Sequence, residues 1–127
     1  MKKLLIAALI STGFAANIQV AHANDQLAES LCGYIEADSK SRLRKVLKEN
    51  KLRVRNIFDS ISCDGQDMLR FAVSSEANKV GGFILSKLPV KSLMEPGADG
   101  KTFNQWADEL GHSSSPVVQS ALDKING

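Results

Sequence analysis

Between Lys40 and Arg55 the chain carries eight basic residues and a single acid, Glu49. The bases are Lys40, Arg42, Arg44, Lys45, Lys48, Lys51, Arg53 and Arg55, and the acids are spread through the rest of the chain. Such a run has two readings. It is a solvated face whose long stems cover apolar surface, or it is a patch that faces an anion. On the second reading Arg42, Arg44, Lys45, Lys48, Arg53 and Arg55 are the candidate binding residues. Cys32 and Cys63 are the other reactive groups. They stand too far apart for a Cys-x-x-Cys redox site, and two thiols with one distant histidine make a poor zinc site.

Catalytic chemistry finds little to work with. Apart from His22 near the start, His112 is the only histidine, and Asp108 is the one acid close behind it that could serve it. General acid–base work needs such a partner within hydrogen-bond reach. Asp99-Gly100-Lys101-Thr102 lacks the upstream glycine of a phosphate loop. The segment Asp59 to Gly65 puts Ile61 and Cys63 where a calcium loop needs oxygen ligands. No serine has the setting of a nucleophile elbow. The sequence therefore reads as a non-enzyme, with no catalytic residues, no metal site and no cofactor.

The N-terminus sets the compartment. Lys2 and Lys3 precede an apolar stretch from Leu4 to Ala16, and Ala21-His22-Ala23 offers small residues where a signal peptidase reads them. Residues 1–23 are read as a cleaved secretory signal, with cleavage before Asn24. A membrane anchor is the other reading of this stretch. Asn17 and Gln19 interrupt it and no stop-transfer pattern follows. The expected location is periplasmic or secreted, and residues 24–127 form one domain. Without Lys2 and Lys3 the formal charge of +2 falls to about zero, so the basic balance does not argue for nucleic acid. In an exported chain the isolated cysteine pair is a disulfide candidate. Two buried free thiols remain the alternative.

The elements that must position these groups are helical. Leu27, Leu31, Tyr34 and Ile35 recur at helical spacing in a first helix opened by Asn24 and running to about Ala37. A second helix spans about 40–49 with Leu43, Val46 and Leu47 inward and Asn50 as its C-cap. Leu52 and Val54 then alternate with Lys51, Arg53 and Arg55, which predicts a short extended segment near 51–58. Asp67 opens a third helix to Ser74, and Asn78 a fourth that Pro89 stops. Gly81-Gly82 inside the fourth implies close approach of a neighbouring backbone. Residues 90–101 read as loop, with turn signals at Pro96-Gly97 and Asp99-Gly100. Thr102 caps a fifth helix with Phe103, Trp106, Ala107 and Leu110 inward, ended by Gly111. Ser115 and Pro116 open a sixth, with Val117, Val118, Ala121, Leu122 and Ile125 on its inner face.

Three helical hairpins thus follow one another at roughly 35-residue intervals, the mark of a stacked array. Asp99-Gly100-Lys101-Thr102, followed by Ala107, Gly111-His112 and Val117-Val118, resembles an ankyrin repeat. Asp64-Gly65, Leu69, Ala72 and Phe83-Ile84-Leu85 match that pattern more weakly, and Leu31 to Val54 resembles a repeat without its opening turn. The chain departs from the family pattern where Asp67 replaces the usual Thr and Asn104 the usual Leu. It also resembles a small family of exported bacterial proteins of unknown function, a likeness that implies no activity. The expected fold class is all-α, three stacked antiparallel helical hairpins, with a generic six-helix bundle as the alternative. Under the ankyrin resemblance Cys32 and Cys63 are neighbours across the boundary between the first two units. The function expected is a non-enzymatic binding module for a protein partner in the periplasm. The alternative is a peripheral protein that docks on anionic lipid through residues 40–55.

Overall fold

The computed structural model describes residues 26–127. The expected signal segment 1–23, its cleavage point and the cap at Asn24 lie outside the described residues. Helix α1 occupies 26–36. It is followed by α2 (Lys40–Glu49), α3 (Val54–Ile57), α4 (Met68–Ser74), α5 (Asn78–Lys87), α6 (Val90–Met94), α7 (Phe103–Glu109) and α8 (Pro116–Asn126). Among the described residues there is no strand, only an isolated antiparallel bridge between Cys63 and Gln66. The fold is all-α.

Two expectations about local structure are corrected. The segment near 51–58 is not an extended strand. Arg53 is extended (φ −115, ψ 136), and one helical turn, α3, begins at Val54. Leu52 instead closes the end of α2, its N–H donating to the Leu47 carbonyl at 2.8 Å. Residues 90–101 are not all loop either. Pro89 supplies a fixed φ and no N–H to an N-cap position, and α6 follows to bury Leu93.

The junctions α1–α2, α4–α5 and α7–α8 close in the same way. Each holds one left-handed residue: Asp38 (φ 54), Glu76 (φ 57) and Gly111 (φ 78). The next residue then donates back into the preceding helix: Ser39 to the Tyr34 carbonyl at 2.9 Å, Ala77 to Ala72 at 2.8 Å, His112 to Ala107 at 2.8 Å. This bond satisfies a carbonyl that the helix end would otherwise leave unpaired. The end of α2 closes likewise, with Lys51 left-handed (φ 54) before Leu52, so three of the four closures do without glycine.

α4 packs on α5 and α7 on α8, while α5 also touches both α2 and α8. Its two ends are held by residues far away in sequence. Asp38 accepts from the Val80 N–H at 2.8 Å in the first turn of α5. Lys124 of α8 donates to the Leu85 and Leu88 carbonyls at 2.8 and 2.6 Å at the other end. A carboxylate at a helix N-terminus and an ammonium at the C-terminus both favour the helix dipole.

The core runs continuously from Leu31 and Ile35 through Leu43, Met68, Leu69, Val80 and Ile84 to Trp106, Val117 and Ala121. Burying each large aliphatic side chain contributes about 1.5–3 kcal/mol. Leu110, expected inward, is 58% exposed, because it lies in the turn past the end of α7. The paired glycines also separate. A Cβ on Gly81 would lie 2.7 Å from the Val117 side chain, whereas one on Gly82 meets open space. The close approach thus belongs to Gly81 alone, and the neighbour is a side chain of α8.

Candidate binding groove

The basic run does not form an undivided face. α2 carries Arg44, Lys45 and Lys48 along one wall of a groove. The connection into α3 brings Arg53 and Arg55 to it, and α5 closes it with Phe83, Ser86 and Lys87. Ser41, Leu47, Leu52 and Val54 complete the lining, and the groove has a volume of about 780 Å3. Six cations therefore surround an apolar floor, and no carboxylate lines it. Among the described residues, none of the six is paired in a salt bridge.

Local sequence explains how the side chains arrive there. Leu43 and Leu47 are buried on the inner stripe of α2, which leaves Arg44, Lys45 and Lys48 exposed. Val54 is buried at the start of α3, so its neighbours Arg53 and Arg55 point away from the core. The Lys87 ammonium lies over the Phe83 ring, 5.7 Å from its centroid, one turn along α5. Such a contact holds a flexible lysine near an aromatic face. The Ser86 hydroxyl is already committed to the Phe83 carbonyl at 2.6 Å.

Five of the six residues expected from the sequence meet here: Arg44, Lys45, Lys48, Arg53 and Arg55. Arg42 is exposed but does not line the groove. The sequence reading missed Phe83 and Lys87. Their i, i+4 spacing on α5 is a local signal, but nothing local aims α5 at α2.

Cys32 and Cys63 are joined in a disulfide, with Cα atoms 5.6 Å apart. The bridge fixes α1 to the base of the turn that precedes α4. Closing this loop stabilises by roughly 3–4 kcal/mol in the chain-entropy description. Such a bond belongs to an oxidising compartment rather than a reducing one. Among the described residues no helix is long and apolar enough to cross a membrane.

A second cleft of about 650 Å3 lies between the turn at Gly65 and the loop at Gly97. Its centre is Arg70, only 7% exposed. Arg70 donates to Asp99 at 3.0 Å and to the Lys101 carbonyl at 2.6 Å, and its guanidinium stands 5.5 Å from the Trp106 ring centre. Its Nε is 3.3 Å from Asp67 but makes no hydrogen bond, because the N–H is not aimed at the carboxylate. Asp67 meanwhile caps α4 by accepting from the Arg70 backbone N–H at 2.8 Å. Burial pushes the Asp67 carboxyl above its usual range, against the pull of that bond and of the Arg70 charge. Asp99 shifts the other way: the Lys101 backbone N–H and then the Arg70 guanidinium hold its carboxyl low. The Lys101 ammonium pairs with Glu109, which raises its pKa. These contacts use Asp67, Arg70 and Asp99 within the fold itself, while Asp59 and Glu95 also line the cleft.

His112 packs against Trp106 with the rings tilted by 30° and their centres 5.2 Å apart. The nearby Asp108 carboxylate accepts from the Ser113 hydroxyl at 2.5 Å, so the acid is already engaged. Among the described residues, no three of His, Cys, Asp and Glu group closely enough to hold a metal ion.

A protein-family model described as a protein of unknown function (DUF3718) matches residues 31–95. That span contains both cysteines and every residue of the groove. No curated protein and no solved structure matches the chain.

Proposed function

We propose, on the premise that the chain belongs to the DUF3718 family of proteins of unknown function, that it is an exported, non-enzymatic binding module. It works in the periplasm and receives an acidic face of a partner protein in the groove between α2, α3 and α5. The observation that carries this reading is the set of six cations around an apolar floor with no carboxylate in the lining. A merely solvated face would intersperse acids among its bases, as the rest of this surface does. Complementary charge speeds encounter and sets the register of a partner. The disulfide supports the exported setting.

The scaffold is read as an ankyrin-like stack. The position of α5, in contact with α2 and α8, supports this. In such an array each hairpin covers the apolar side of the next.

Reversing Arg44 and Lys48 together to Glu tests the proposal. Both side chains are exposed, so the melting temperature should not change. Retention of the partner from an envelope extract should fall strongly, and wild-type retention should weaken as salt rises. Equal retention by the two proteins would contradict the reading. Flotation of the protein with anionic vesicles, in place of protein capture, would favour docking on lipid.

A further inference from the structure

We infer that the occupant of the groove is an extended acidic segment with one large apolar side chain, and that this side chain seats against Phe83 and Leu52. The inference rests on the binding reading above and adds the chemistry of the partner. Charge gives the first half. Lys87 of α5 lines the groove together with the cations of α2 and α3, so three helices bring positive charge to the floor. An acidic segment lying along that floor meets cations from each of them. Because no carboxylate within the described residues pairs with these cations, an incoming one displaces no partner.

The floor gives the second half. Leu47 and Val54 are buried, 4% and 3% exposed, and have little surface left to offer. Leu52 and Phe83 are half-buried and are the part an occupant can reach. Two half-buried side chains make a seat for one apolar side chain. The hydroxyl of Ser86 donates to its own helix, so it offers an occupant an acceptor but no donor, and a carboxylate finds no anchor on it. Lys87 over the Phe83 ring brings one charge to the edge of the apolar spot. An anchor flanked by acids therefore fits better than acids alone. Phe83 and Lys87 are the residues that set this preference.

The test uses two labelled synthetic peptides, one glutamate-rich with a central leucine and one with serine in its place. Fluorescence anisotropy should show the wild-type protein binding the leucine peptide roughly tenfold more tightly, the scale expected for burying one such side chain. In a Phe83→Ala protein the ratio of the two affinities should fall to about one, whatever the change in the affinity for each peptide. Equal affinity of the wild-type protein for both peptides would overturn the anchor and leave the cationic groove standing. Binding of anionic vesicles with no binding of either peptide would overturn both the anchor and the reading beneath it. The wild-type comparison decides the matter even if Phe83→Ala fails to fold.

Discussion

Arg70 is a cation with little access to water, and such a group is tolerated only while its partners stay in place. Its partners come from three places: Asp67 on its own helix, and Asp99 and Lys101 about thirty residues on. Arg70→Ala should destabilise the protein by roughly 1–3 kcal/mol, because it removes the bonds to Asp99 and the Lys101 carbonyl and takes the neighbouring charge from the half-buried Asp67 carboxylate. Arg70→Lys should recover little, since a lysine cannot make both of the fork's bonds to Asp99 and the Lys101 carbonyl. Denaturant midpoints for the two variants check this. Asp99 gives a pH signature. Its folded pKa lies below the unfolded value of 3.8, so its stabilisation is full above that value and is lost as pH falls through the folded one. Asp67 works in the opposite sense. Its pKa is raised, so ionisation costs stability and the cost is relieved on acidification. Asp99→Asn should therefore lower the melting temperature at neutral pH, and the difference from wild type should close below about pH 4. Only half of this cluster is readable from the sequence. The caps at Asp67 and Thr102 follow from their place between an Asp-Gly turn and an apolar run, whereas the reciprocal bond from Gln105 appears only in the fold. The reach from Arg70 to Asp99 leaves no local trace.

At the scale of elements, packing separates residues that look alike in the chain. Gly81 and Gly82 are neighbours with opposite surroundings. Gly81→Ala drives a Cβ into Val117 and should destabilise by about 1–3 kcal/mol. Gly82→Ala points into open space on a helix and should stabilise by up to about 1 kcal/mol. Thermal unfolding of the two single variants checks both signs. The long helices α2, α5 and α8 were legible because their apolar residues recur over two or more turns. The short ones were not. α3 has four residues and α6 has five, too few for a period to register. At α3, Leu52 and Val54 on either side of one extended residue mimic the alternation of a strand. Gly111 announced its junction, while Glu76 takes the same left-handed turn with no glycine to announce it.

At the scale of the whole molecule, the groove depends on which helices become neighbours. Five of its cations lie close together in sequence and were found there. Phe83 and Lys87 join them only because α5 packs on α2, a contact that no local pattern encodes. The disulfide pair was legible as a candidate from the count of cysteines, and the fold brings the two to 5.6 Å. The molecule as a whole is dipolar. A cationic groove opens beside α2, and carboxylates line the cleft around Arg70. A polyanion should thus find one region and avoid the other. Titrating the isotope-labelled protein with a polyglutamate peptide, and following backbone amide shifts, reads this directly. Shifts should gather in α2, α3 and the end of α5, around Arg44, Lys48, Arg55 and Lys87, and fade as salt is raised. Shifts centred elsewhere, or none at low salt, would contradict the assignment of this groove as the binding site.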